Sequence, residues 1–201
     1  MVKVVIGCDV MSETIKVGVM GARGSFSEKA GEDYIANNNI VKAEIVPLIN
    51  AESVLNAVES GEVDKGIFPI ENSNGGIVIE AVHAMAAHRF TIETMFEFDV
   101  HHMLLVKPGT KASDVTTICS HDQAIKQCRM YIRRVWPEAE VMPYADTAMA
   151  AKDLGEGKLS ETTAVIAPGR CADLYNLEIM EKSIQDLKFN YTSFVVASKS
   201  A

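Results

Sequence analysis

Four short stretches concentrate groups able to hold or protonate a small molecule. GARGSFSEKA begins at Gly21, ENSNGGIV at Glu71, SHDQA at Ser120 and NYTSF at Asn190. The first three follow apolar, β-type runs and open helical patterns. Ser25 with Glu28, and Ser120 with Gln123, have the spacing of a capping box. Asn72 or Ser73 is placed to cap the next helix, while Gly75 and Gly76 let backbone approach a ligand closely. In open α/β sheets, ligands bind beyond the carboxyl ends of the strands. Unpaired N–H groups at helix starts there favour anions. Three such turns point to a small polar anion held between two lobes, although each turn taken singly is accounted for as a well-capped helix. NYTSF is different: Asn190, Thr192 and Ser193 put polar groups into FNYTSFVVASKS, which otherwise reads as a buried strand.

The surrounding pattern alternates strand and helix. Strands are expected at 15–20, 43–48, 64–70, 116–120, 139–144 and 162–168, and over the final NYTSFVVAS. Helices are expected at 27–38, 51–61, 77–88, 122–136 and 147–157, with a short one near Arg170–Leu174. This alternation predicts an α/β fold with mostly parallel sheets. Two consecutive extended runs, FTIETMFEFDV and HHMLLVKP, break it, predicting a crossover between lobes with a boundary near residue 100. Residues 1–12 precede the first convincing unit and read as an extension of uncertain role.

Of the 201 residues, 48% are hydrophobic and 23% charged, with a net charge of −8. Such a chain fills one sizeable core or two small lobes. The acidic balance weighs against nucleic acid, whose phosphates require clustered Lys and Arg. Arg129, Arg133 and Arg134 have helical spacing and read as a solvated helix face. No run approaches the ~20 apolar residues of a membrane span. The opening MVKVVIGCDVMSE lacks the layout of a secretory signal, so no membrane contact and a cytoplasmic location are expected. Cys8, Cys119, Cys128 and Cys171 show no C-x-x-C spacing and read as reduced thiols. His101 and His102, adjacent on an expected strand, point to opposite faces and do not share a metal ion. His121 beside Ser120 lacks the geometry of a nucleophile pair. GARGSF lacks the phosphate-loop spacing. Neither a metal nor a cofactor is expected.

From about residue 15 to residue 198 the chain resembles the catalytic domain of prephenate dehydratases. GARGSFSEKA resembles that family's opening glycine-rich motif, and GIFPIENSNGGIV its long Pro-Ile-Glu-Asn-Ser signature. HHMLLVKPG, SHDQAIKQCRMYI and APGRCADLYNLEIMEKSIQD match three further segments in the same order. The resemblance implies a two-lobed α/β fold like that of type II periplasmic binding proteins, with the active site in the interlobe cleft. It implies a first lobe of 13–99 plus 180–201 and a second of 100–179. It further implies conversion of prephenate to phenylpyruvate, water and carbon dioxide in phenylalanine biosynthesis, a small dicarboxylate substrate and a homodimer. The family's appended regulatory domain is not expected here.

By the same carry-over, Thr192 matches the family's catalytic threonine, and Asn72, Ser120 and Gln127 match polar groups of its active site. Ser25 and Glu71 are carried over as substrate-binding positions, and Ser73, Gly75 and Arg23, in the same turns, are expected to join them. Ser193 stands where the family has an arginine thought to hold a substrate carboxylate. A serine cannot supply a bidentate guanidinium fork. Losing such a pair costs ~2–5 kcal/mol, or roughly 30- to 5000-fold in binding, unless Arg23 or Lys188 compensates. Three readings stay open: a dehydratase with a rewired carboxylate site, an enzyme that decarboxylates prephenate without aromatising it, and a non-catalytic module that binds small carboxylates.

Overall fold

A computed structural model describes residues 14–200; the expectations for Cys8 and for residues 1–12 lie outside them. Two sheets carry the chain. The first is built from β1 (Ile15–Met20), β2 (Ala43–Leu48), β3 (Lys65–Asn72), the short β4 (Gly76–Ile77), β5 (Phe90–Asp99) and β11 (Tyr191–Lys199). Its order is β2-β1-β3-β11-β5, with β4 paired to β3. The second sheet contains β6 (His102–Val106), β7 (Thr117–His121), β8 (Glu140–Tyr144), β9 (Thr163–Pro168) and β10 (Glu178–Glu181), in the order β10-β6-β9-β7-β8.

Helices cover both faces of each sheet. α1 (Phe26–Asn37) packs with Val17, Val19, Ile67, Phe194 and Val196 on one face of the first sheet. α2 (Ala51–Ser60) and α3 (Ile79–Ala87) enclose Phe68, Val195 and Ala197 on the other. Strand alternation thus sends Phe194 and Val196 one way and Val195 and Ala197 the other. The second sheet is covered on one side by α4 (Asp122–Gln127) and α5 (Arg129–Val135), which bury Leu104, Ile118 and Ile166. On its other side α6 (Thr147–Gly155) and α7 (Arg170–Tyr175) bury Leu105, Val165 and Ala167. Each large buried side chain contributes ~1.5–3 kcal/mol, so each sheet has a core of its own.

The sheets are mixed, which corrects the expectation of mostly parallel pairing: five of the nine pairings are antiparallel. β11 runs antiparallel to both β3 and β5 between which it lies. The chain passes between the sheets twice, after β5 and again before β11.

Two expected helices differ in detail. The run 122–136 is broken at Cys128, where φ is −115° and ψ 16°. Asp186 causes the break: its carboxylate accepts from Met130 N and Tyr131 N, and its own N–H donates to Gln127 O. The run 77–88 becomes helical only at Ile79, because Gly76–Ile77 pairs with Glu71–Asn72. The cap of α3 is Val78, with no side-chain bond, not Asn72 or Ser73. Ser25 does cap α1, accepting from Glu28 N, but the Glu28 carboxylate turns to Gly24 N and leaves the box half made.

Candidate active site

Asn72 ends β3, and its side chain is fixed by unambiguous backbone donors. Its Oδ1 accepts from Asn74 N and Gly75 N at 2.9 and 2.8 Å. The polar insert after an apolar strand therefore forms a turn about its own first amide, a habit of asparagine. With Oδ1 so committed, Nδ2 faces β11 and donates to Thr192 Oγ1 at 2.9 Å, to Asn190 Oδ1 at 2.8 Å and to Tyr191 O at 3.2 Å.

The second sheet's domain enters through Gln127, the last residue of α4. Its Nε2 donates to Asn72 Oδ1 at 3.2 Å. Its Oε1 receives Asn190 Nδ2 and His102 Nε2, each at 2.8 Å. Asn190 is fully buried and also donates to Val100 O. Thr192, Asn72, Asn190, Gln127 and His102 are thus one connected network. It lies where both connections between the sheets pass, since Val100 N donates to Asn190 O and Ile184 N to His102 O.

Because Thr192 Oγ1 accepts from Asn72, its own hydrogen is left to donate, and no protein acceptor takes it among the described residues. Thr192 is 8% exposed. It shares the α1 face of the sheet with Phe194 and Val196 and sits at the strand's polar end. Gly75 closes the other side. A Cβ there would stand 3.2 Å from Gln123 Oε1, 3.4 Å from Asn72 Oδ1 and 3.6 Å from Gln127 Nε2.

Other expected site residues fall elsewhere. Ser120 is fully buried within β7, and its hydroxyl donates to Ile166 O at 2.6 Å. It shares no hydrogen bond with the network around Thr192. It does not cap a helix either: the strand continues one residue further, and His121 Nδ1 accepts from Gln123 N. Ser73 is used structurally, its N–H donating to Tyr191 O and its Oγ accepting from Tyr191 N. Arg23 is exposed in the first turn, where its carbonyl accepts from Tyr175 OH. Ser25 is buried at its cap. Ser193 stands across from Glu71 on one neighbouring strand and Glu97 on the other. Neither Arg23 nor Lys188 forms an ion pair among the described residues.

Two network members, Asn190 and His102, are absent from the expected site. Asn190 had a signal, an amide directly before a buried strand; His102 had only its place in the histidine pair. Burial drives the His102 ring down to about 4, so it is neutral. Burial pushes the Cys119 thiol up to about 11 and Cys171 up to about 12, which leaves both unreactive.

A second junction lies between the lobes. Arg170 of α7 reaches Glu32 at 2.8 Å and Glu28 at 3.5 Å on α1. Among the described residues no helix is long and apolar enough to cross a membrane.

Residues 17–201 match the family described as "PDT: Prephenate dehydratase". The chloroplastic arogenate dehydratase 5 of Arabidopsis thaliana is 32% identical over 92% of this chain and 42% of its own length. The bifunctional chorismate mutase/prephenate dehydratase of Pseudomonas aeruginosa is 30% identical over 96% of this chain and 51% of its own. The crystal structure of a prephenate dehydratase from Arthrobacter aurescens in complex with L-Phe superposes with a TM-score of 0.82. Identity there is 26%, over 93% of this chain and 60% of that one. The chain spans about half the length of the curated relatives it matches.

Proposed function

The chain belongs to the prephenate dehydratase family, and we propose on that footing that it converts prephenate to phenylpyruvate in phenylalanine biosynthesis. The observation that carries this reading is the hydroxyl of Thr192, held through its oxygen by Asn72 with its hydrogen free.

In the reaction the ring carboxylate leaves as carbon dioxide, and the electron pair of the broken C–C bond enters the ring. The C–O bond to the ring hydroxyl breaks, and one proton taken up from solution completes the water that departs. Aromaticity supplies the driving force. Thr192 donates a hydrogen bond to the leaving oxygen. Asn72 Nδ2 stabilises the charge that gathers on Thr192 Oγ1 as it does so. A threonine is too weak an acid for its own pKa to matter, so the benefit comes from orientation fixed in advance. Gln127 joins the two domains at the network and orients the ring, and the N–H groups around Gly75 border the space. Glu71, Ser193, Ser25 and Arg23 are assigned to the periphery of a dicarboxylate site, with Ser73 as a structural support. The lobes in this reading are 13–99 with 180–201, and 100–179, in a cytoplasmic homodimer.

The test is to incubate purified protein with prephenate and follow phenylpyruvate. Product that Thr192→Ala suppresses supports the reading. A decarboxylated product that is not aromatic, or binding without turnover, overturns it.

A further inference from the structure

We propose that His102 is a positioning residue, whose Nε2 hydrogen helps hold the Gln127 amide in the orientation the network requires and so steadies Asn72 beside the Thr192 hydroxyl. The inference rests on the dehydratase reading for its consequence, but its geometry stands independently.

The order is forced from backbone groups at both ends. Asn74 N and Gly75 N can only donate, so the atom of Asn72 that faces them is the oxygen. The atom of Gln127 that meets this oxygen must then be its nitrogen. Val100 O can only accept, so Asn190 presents Nδ2 to it and, with the same group, to Gln127. Gln127 Oε1 is therefore an acceptor, and His102 Nε2, 2.8 Å away, must carry a hydrogen. The ring is 3% exposed. Phe26, the first residue of α1, meets it edge-on at 5.2 Å, and its Nδ1 has no partner. A charged ring would strand a second N–H at that buried site, and the other tautomer would set a lone pair against Gln127 Oε1. One form only, neutral with hydrogen on Nε2, satisfies the surroundings. With that donor gone, Gln127 loses one of the three contacts that stop its amide turning over. A turned amide would set oxygen against Asn72 Oδ1 and nitrogen against Asn190 Nδ2, replacing two bonds by like-with-like contacts beside Thr192.

The test pairs spectroscopy with kinetics on the full chain. In ¹⁵N-histidine-labelled protein, His102 is expected to show a protonated Nε2 and a bare Nδ1 throughout pH 5–8. His102→Leu is expected to lower kcat for phenylpyruvate formation about 10²-fold while KM moves less than about threefold. His102→Gln, which restores an N–H donor, is expected to recover at least about tenfold of that loss. A hydrogen on Nδ1, or a folded His102→Leu protein with undiminished kcat, overturns the proposal. If His102→Leu fails to fold, the ring's ¹⁵N signature and the His102→Gln rates decide. A wild-type protein without turnover sinks the dehydratase reading instead and leaves the tautomer result to be judged alone.

Discussion

Asn72 Nδ2 donates to Thr192 Oγ1 across 2.9 Å, joining residues 120 positions apart in the chain. The oxygen of the hydroxyl is occupied and the hydrogen is not, and this polarity is what a donor to a leaving group requires.

Reversing that polarity should be worse than removing a neighbour. In Asn72→Asp the carboxylate accepts the Thr192 hydrogen and turns it from the substrate. We expect kcat for phenylpyruvate formation to fall ~10²–10³-fold, as far as in Thr192→Ala. Loss of the donor to buried Asn190 Oδ1 also costs ~1–3 kcal/mol, measured by urea unfolding.

Acid should weaken the fold through His102. Its folded pKa of about 4 lies below the ordinary 6.5, so between those values the unfolded chain binds the extra proton. The stabilisation is present above about pH 6.5, falls as pH drops towards 4, and amounts to at most on the order of 3 kcal/mol. The neighbouring His101, itself beside Asp99, adds to the depression when charged. His88 works in the opposite sense. Bonds to Glu59 and Glu52 raise it, so its contribution is held below pH 6.5 and lost as pH rises through its folded pKa. Unfolding of His88→Gln from pH 4 to 8 isolates the His102 limb, which vanishes in His102→Gln.

Ser193→Arg should tighten prephenate by less than the roughly 30-fold that a charge-assisted pair of ~2 kcal/mol provides. Cross-strand Glu71 and Glu97 compete for the guanidinium. Adding Glu71→Gln releases part of it, and KM should drop further. Equal KM in the single and double variants would show that the carboxylates do not intercept it.

Gly155→Ala should destabilise without touching the network. Its Cβ would lie 2.5 Å from Tyr175 O, a backbone atom at the end of α7. Overpacking of this kind costs ~1–3 kcal/mol, seen as a drop in Tm of several degrees for a chain of this size.

The grouping of Asn72, Gln127 and Thr192 was legible only through the family resemblance, because Gln127 falls inside the helix expected at 122–136 and Thr192 inside the last strand, where alternation singles out neither. Both extended runs at 90–107 were legible too, as they broke a helix-strand rhythm. Pairing direction was not: β11 has the same apolar alternation whether its neighbours run with it or against it. Ser120 was misread because S-x-x-Q fits a cap, while the strand actually carries on to His121. The helix break at Cys128 depends on Asp186, 58 residues away, and no local pattern announces it. His102 acquires its importance only from what surrounds it after folding.

β11 lies in the interior of the first sheet, between two strands made a hundred residues earlier. On the ribosome the second sheet, whose strands occupy one uninterrupted stretch of chain, can assemble while the first still has an open slot beside Phe68 and Phe96. The earlier-synthesised half is accordingly the later to be completed. The threonine hydroxyl reaches its place only with the strand that fills that slot, so under the proposed reaction the nascent chain is inactive until then.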